Sequence, residues 1–353
     1  TMKLFDSSPG CIPKYEHVLI DEYQDVNDMQ IKLIEQLNPK NIFAVGDPRQ
    51  SIFGWRGANI EHIKRFKEKH PESKILGLRI NYRSKQSIID VLNSVSSPMR
   101  MPEITCCDKN AASDKDVILL EHDNEEAEHM FVVQSILNLS MRKDVFVLAR
   151  TNKQIEKIAE KLKAAGIDFV KRTIEENGGE AKETQITLST VHAIKGLEAE
   201  IVYLISANSF SFPCRASEHP ILDILKTQSY DKYEEELRLL YVALSRAKSK
   251  LIISYYSSLS PFIDDKTKKL IGGREEAPKK GKPSLYDVLK RWRLEKSREL
   301  GVAAFQIFSD KTIMEICQTG PGTIEELRDV YGMGPNKIMR FGKDIVRMVI
   351  END

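Results

Sequence analysis

The 353-residue chain has no apolar run approaching the roughly 18 residues that mark a membrane-spanning helix. It also has almost no net charge: 53 Lys and Arg face 52 Asp and Glu, leaving +1. A strongly basic chain would by itself argue for nucleic acid; here any polyanion has to be held by local grooves. Five cysteines, Cys11, Cys106, Cys107, Cys214 and Cys317, show no Cys-x-x-Cys spacing and no paired histidine. A zinc site is therefore not expected, and an odd number of thiols fits a reducing, cytoplasmic setting. A phosphate cradle is missing too. A P-loop needs Gly-x-x-x-x-Gly-Lys followed by Ser or Thr, so that backbone N–H groups and the lysine surround the phosphates. The only Gly-Lys pairs are Gly281-Lys282, followed by Pro283, and Gly342-Lys343, followed by Asp344.

What is present is a hydrophobic content of 41% and a charged content of 30%, the balance of a globular protein of two or three domains. The most informative stretch is His17-Val-Leu-Ile-Asp-Glu-Tyr-Gln-Asp25. Three apolar residues end in adjacent carboxylates, Asp21 and Glu22. A buried parallel strand delivers acids in this way to the edge of an α/β sheet, where ligands bind. Read alone, the pattern also fits a strand end with a solvated loop.

A second apolar strand, Asn41–Val45, runs into Gly46-Asp-Pro-Arg-Gln-Ser-Ile-Phe-Gly-Trp-Arg-Gly-Ala58. A helix is expected from Val26 to Leu37, stopped at Asn38-Pro39. Further on, short apolar strands at Val117–Leu120, Val145–Ala149, Ile186–Leu188, Ile201–Ile205 and Leu251–Ser254 alternate with helical stretches at Glu125–Leu139, Gln154–Ala165 and Tyr233–Ser245. Such alternation predicts a parallel, doubly wound α/β sheet. Residues 262–283, with Gly272-Gly273, Pro278 and Pro283, have the composition of a linker. From Ser284 short capped helices are expected, with Ser284, Ser309 and Thr323 as N-caps and Glu326 completing a capping box.

Three more blocks join the first two: Asn81-Tyr-Arg-Ser84, Ile186-Thr-Leu-Ser-Thr-Val-His-Ala-Ile-Lys-Gly-Leu-Glu198, and Glu234-Glu-Glu-Leu-Arg-Leu-Leu-Tyr-Val-Ala-Leu-Ser-Arg-Ala-Lys248. In this order the five blocks resemble the superfamily 1 DNA helicases of the UvrD/Rep type, over roughly residues 15–256. The tail blocks Leu289-Lys-Arg-Trp-Arg-Leu294, Ala304-Phe-Gln-Ile-Phe-Ser-Asp310 and Tyr331-Gly-Met-Gly-Pro-Asn-Lys337 resemble the helical HRDC domain. The resemblance implies RecA-like doubly wound sheets, one partial and one near complete, followed by a small all-α domain. Residues 1–79 would close a first motor domain, 80–261 form a second, 262–283 link, and 284–353 form the HRDC-like domain. The large inserted domain of these relatives has no room between Ala165 and Ile186.

The same resemblance implies ATP and Mg²⁺ as cofactors and single-stranded DNA, or junctions of single and double strands, as partner. Asp21 would hold Mg²⁺ through water, Glu22 would be the general base, and Gln50 would sense the γ-phosphate, against a reading as an amide that fixes its turn. Arg83 and Arg246 would stabilise charge on the transferring phosphoryl group; a cation at a helix C-terminus is the other reading of Arg246. Tyr82 would stack on adenine and Gly196 and Glu198 would meet the nucleotide, Glu198 through a ribose hydroxyl. Phe53 and Trp55, with Arg56 beside them, have the make-up of a base-stacking platform or of a buried pair. His192 and Lys195 are candidates for phosphate contacts, as is Lys337 in the tail. Residues 284–353 hold eleven basic and eleven acidic side chains, so the tail fits repair-protein contact about as well as DNA. The missing P-loop implies a further partner, an N-terminal segment of the same protein. The alternative is a non-catalytic remnant that binds DNA or protein.

Overall fold

The computed structural model describes residues 2–107, 113, 116–139, 142–174, 181–214, 230–271, 285–300 and 302–352. The chain divides into two compact units. The first comprises Thr1–Glu128, Met141–Ile155 and Val170–Glu275; the second comprises His129–Ser140, Glu156–Phe169 and Glu276–Asp353.

Two sheets rich in parallel strand pairs organise the first unit. In the smaller, β1 (His17–Ile20) pairs with β2 (Asn41–Ala44), Leu19 opposite Phe43 and Ile20 opposite Ala44. Side chains alternate between faces along a strand. Ile20 and Ala44 pack with Tyr23, Val26 and Ile31, which brings in the helix Asp28–Leu37. Leu19 and Phe43 remain 73% and 61% exposed. The expectation of a buried strand before Asp21 therefore holds on one face only. The helix begins two residues later than expected because Asn27 caps it, exchanging hydrogen bonds with Gln30. It ends at Asn38, which turns left-handed at φ 39°.

The larger sheet adds β5 (Val117–His122), β6 (Val145–Ala149), β7 (Phe169–Arg172), β8 (Ile186–Thr190), β9 (Ala199–Leu204) and β10 (Ala247–Tyr256), in the order β5-β10-β9-β6-β8-β7. A minor pair, β3 (Ile80–Asn81) and β4 (Thr105–Cys106), lies outside it. Every residue of β6 and β8 is buried, as continuous apolar runs require when both faces of a parallel sheet are covered. Their register sets Leu148 against Ser189 and Leu204. β7, unanticipated from sequence, occupies part of the span where the inserted domain is not expected. The helices Gln86–Ser96 and Lys232–Leu244 build the core with Leu204, Leu251 and Ile253.

The stretch expected as linker opens instead with a helix, Asp265–Leu270, whose Thr267 N–H is capped by Asp264; residues 272–284, Ser284 included, lie outside the described residues. In the second unit Tyr286, Leu289, Phe308, Ile313, Ile316, Leu327 and Ile345 form a core that includes Met130. Trp292 stacks on Phe308 and meets Phe341 edge-on. Ser309 and Thr323 cap helices as expected. Glu326, however, accepts from Gly322 N–H rather than from its cap residue, one step short of a closed capping box. No described helix is long and apolar enough to cross a membrane.

Candidate functional site

The site grows from strand ends in the first unit. β9 and β10 start side by side, Ala199 opposite Ala247, so the residues just before them, Glu198 and Arg246, are neighbours at one edge. The block Asn81–Ser84 docks there. Ser84 Oγ donates to the Ala247 carbonyl at 2.6 Å, while Asn81 Oδ1 accepts from the N–H groups of Arg83 and Ser84, both at 2.9 Å. This turn aims Arg83 at Glu198, which it meets in a tight ion pair; Lys248 binds the same carboxylate at 2.9 Å. Lys248 and then Arg83 hold the Glu198 carboxyl below its ordinary range. Tyr82 points outward, 78% exposed. Gly196, at φ 87°, takes a left-handed turn that a side chain would strain.

Arg246 is almost completely buried. It donates to the Val242 and Leu197 carbonyls, to Ser245 Oγ at 2.7 Å and to Gln50 Oε1 at 3.2 Å. Burial, with Arg83 nearby, lowers its pKa to about 10, so the guanidinium stays charged at neutral pH. Gln50 is thereby shared: Nε2 donates to Asp47 at 3.1 Å and Oε1 accepts from Arg246.

The acids at the end of β1 are fixed through β2. Tyr23 N–H donates to the Val45 carbonyl, and Gln24 Oε1 accepts from Asp47 N–H at 3.0 Å. A Cβ on Gly46 would come within 2.5 Å of Gln24 Oε1 and 3.2 Å of the Gln24 backbone nitrogen, so a larger residue there would push the Gln24 side chain aside. Asp21 is exposed and its Oδ1 accepts from Glu22 N–H at 2.9 Å. Glu22 itself is left-handed at φ 50°, a conformation that a non-glycine residue adopts at a cost of order 1–3 kcal/mol. Gln24 Nε2 donates to its carboxylate.

Lys195 departs from expectation. Rather than standing open to a phosphate, its side chain is 9% exposed. The ammonium pairs with Asp25 at 2.5 Å, donates to the Gln50 carbonyl at 2.8 Å and lies 3.4 Å from Glu22. Burial raises the Asp25 pKa, against the pull of Lys195, and Asp25 Oδ1 is buried with no hydrogen-bond partner among the described residues.

Lys195 also lies 5.3 Å from the Phe53 ring centre, and Arg56 covers the Trp55 ring at 4.6 Å. His192 meets Trp55 edge-on at 6.1 Å. Burial, with the charges of Arg150 and Arg56, pushes the His192 pKa down to about 3, which keeps the ring neutral. Phe53 and Trp55 are half-buried, between the two alternatives open from sequence, and Ile52 beside them is fully enclosed in the large core. Lys337 belongs to the second unit, at the start of the helix Pro335–Asn352, and its N–H closes a turn on Gly334. There Lys311 covers the Tyr331 ring at 4.0 Å.

Five participants escaped sequence reading: Asp25, Lys248, Glu235, and Arg150 and Glu236, which form a bidentate pair. Asp25, Glu235, Glu236 and Lys248 stand inside the motif blocks, and their acid or basic character was the available signal. Their partners were not visible.

Three known domain families match in order along the chain. The UvrD/REP helicase N-terminal domain matches residues 10–71, the UvrD-like helicase C-terminal domain residues 76–176 and 170–258, and the HRDC domain residues 282–349. The ATP-dependent DNA helicase PcrA of Leuconostoc citreum is 35% identical over 182 residues, 48% of this chain and 24% of that protein. PcrA of Bacillus subtilis (strain 168) is 36% identical over 186 residues, with the same coverage. A probable DNA helicase of Mycoplasma pneumoniae is 28% identical over 249 residues, 67% of this chain and 43% of that protein. The chain spans about a quarter of the PcrA proteins it matches. With the C-terminal helicase domain matching over half its residues, preceded by the N-terminal domain match and followed by HRDC, this chain belongs to the UvrD-like helicase family.

Proposed function

We propose that this chain is part of an ATP-dependent DNA helicase or translocase that moves 3′→5′ along single-stranded DNA in repair or replication. The observation that carries the reading is the dual attachment of the segment 50–55. Gln50 is held by Arg246 through its side chain and by Lys195 through its carbonyl. Three to five residues on, the same segment carries Phe53 and Trp55. Groups suited to phosphate chemistry and groups suited to base stacking thus share one short piece of backbone.

The donor set fits Mg²⁺. Magnesium takes oxygen from one or two carboxylates and completes its shell with water and substrate phosphates. Asp21 and Glu22 supply exposed carboxylates, and among the described residues no cluster of three or more His, Cys, Asp or Glu forms a self-sufficient metal cage. Asp21, through water, would hold the ion, which neutralises charge on the phosphates when bound. In this reading Glu22 accepts the proton of the attacking water, and Arg246 and Arg83 stabilise the charge that develops on the phosphoryl oxygens. Tyr82 is open to stack on a base, and Glu198 orients Arg83 and reaches a ribose hydroxyl.

The phosphate cradle is assigned to an N-terminal P-loop segment of the same protein, with the exposed face of Leu19 and Phe43 as its seat. The HRDC-like tail is assigned contact with DNA or a repair protein. In a full-length protein carrying that segment, Glu22→Gln should leave nucleotide binding intact and lower ATP turnover by about 10²-fold or more, and Arg246→Ala should do likewise. Near-normal rates in either variant would overturn the assigned roles. The 353-residue chain alone should release no phosphate from ATP with or without DNA; steady DNA-stimulated release would show that the cradle is not required.

A further inference from the structure

The helix Lys232–Leu244 and the residues just after it grip the segment 50–55 at three points. Arg246 donates to Gln50 Oε1 at 3.2 Å, Arg238 Nε to the Ser51 carbonyl at 2.7 Å, and Glu235 Oε2 accepts from Gly54 N–H at 2.9 Å. The third contact falls between the two aromatic residues, Phe53 and Trp55. Glu235 is buried, and its other oxygen lies 3.4 Å from Tyr230 Oη. A Cβ on Gly54 would approach Glu235 Oε2 to 2.3 Å and the Tyr230 ring to 2.8 Å. The peptide N–H between the rings is therefore held by a carboxylate, in a space that a side chain enters only by displacing the Glu235 carboxylate or the Tyr230 ring. On its open side Trp55 lines a pocket of about 290 Å³ shared with Thr190, His192, Tyr230 and Glu235. The conformation of Gly54 sets how the Trp55 ring walls that pocket.

We infer that Glu235 is a positioning residue, which fixes the Phe53–Trp55 loop so that the Trp55 ring is presented to a nucleobase. The inference rests on the reading of this loop as a single-strand DNA surface. A buried carboxylate bonded to a backbone N–H is a strong, directional restraint, and its loss leaves that N–H unpaired in an enclosed space. Because Arg238 and Arg246 act from the same stretch of chain, one rigid element sets both the ring and the Gln50 side chain.

The test uses the full 353-residue chain labelled with 5-fluorotryptophan. Its two tryptophans give two ¹⁹F resonances, assigned with Trp55→Phe. Glu235→Ala should move or broaden the Trp55 resonance and leave that of Trp292, in the second unit, in place. It should also weaken binding of a fluorescent oligo(dT) about tenfold, the loss expected for one charged hydrogen bond. The salt slope should not change, since Glu235 touches no phosphate. Glu235→Gln keeps an oxygen for Gly54 N–H and should restore both readouts. A Glu235→Ala protein with both resonances and its thermal transition at wild-type values would overturn the inference. Should that variant fail to fold, Gly54→Ala decides: its methyl group must displace the Trp55 resonance alone, and an undisturbed resonance overturns the inference. If wild-type chain binds no oligonucleotide while Glu235→Ala still moves the Trp55 resonance, the DNA reading falls and the restraint on the loop stands.

Discussion

The two sheets of the first unit are built from the same kind of strand and meet different fates. β6, Val-Phe-Val-Leu-Ala, is buried at all five positions. β1, His-Val-Leu-Ile, is covered on one face and bare on the other. Apolar content is similar; cover is not. A strand becomes core only where other elements remove its faces from water, and the stabilisation scales with the area removed. The small sheet is therefore held to the large one less by its own burial than by specific links: Ile52 in the large core, Lys195 on Asp25, and Arg238 and Glu235 on the loop after β2.

The contrast gives the largest expected effect. Leu148→Ala in β6 should cost about 2–5 kcal/mol in urea unfolding, the range for a buried leucine that leaves a cavity. Leu19→Ala in β1 should stay within about 0.5 kcal/mol, as for a surface change. Equal losses would erase the distinction between the sheets. Next comes the link through Lys195. Removing one partner of a buried ion pair costs about 3–5 kcal/mol; Asp25 retains some exposure, so Lys195→Ala should fall near the lower end. A loss of stability with an unchanged salt slope for oligonucleotide binding would sharpen the contrast with an open phosphate contact. A slope reduced by about one, at unaltered stability, would return Lys195 to the role first expected of it.

A smaller effect concerns Trp55. Trp55→Ala should weaken oligonucleotide binding by about 1–3 kcal/mol, with the loss persisting at high salt because stacking releases no counterions. A collapsed thermal transition instead would make Trp55 a core residue like Ile52. The smallest effect is on pH. His192 is neutral in the folded chain down to about pH 3, whereas an unfolded histidine gains a proton near pH 6.5. Below that value the unfolded state binds more protons, so the contribution of His192 makes stability fall as pH falls from about 6.5 towards 3. His192→Gln lacks this contribution. Its melting temperature should gain on wild type between pH 7.5 and pH 5.5, as read by circular dichroism; a constant gap would mean that the ring is open to water.

Much of this was legible in the residues. Asn38 marked a helix end, and the backbone turns left-handed there. The runs at β6 and β8 marked a covered parallel sheet, and the order of five blocks marked the family. β7 was not legible, since Phe-Val-Lys-Arg has neither alternation nor a long apolar run. Local chemistry, read over a few residues, determines strands, caps and the types of functional group available. What it does not determine is which groups meet. Lys195 reaches Asp25 across 170 residues of sequence and Glu235 reaches Gly54 across 181. Only the docking of Lys195, after β8, and of the helix Lys232–Leu244 onto Asp25 and the segment after β2 brings them within hydrogen-bond range. A lysine with the composition of an open phosphate contact became a buried tie, and two aromatic residues between core and surface received their orientation from a carboxylate on a distant helix. Charge and hydrogen-bonding capacity are properties of the residue; burial and partner are properties of the packed chain, because desolvation and distance set what each charge is worth.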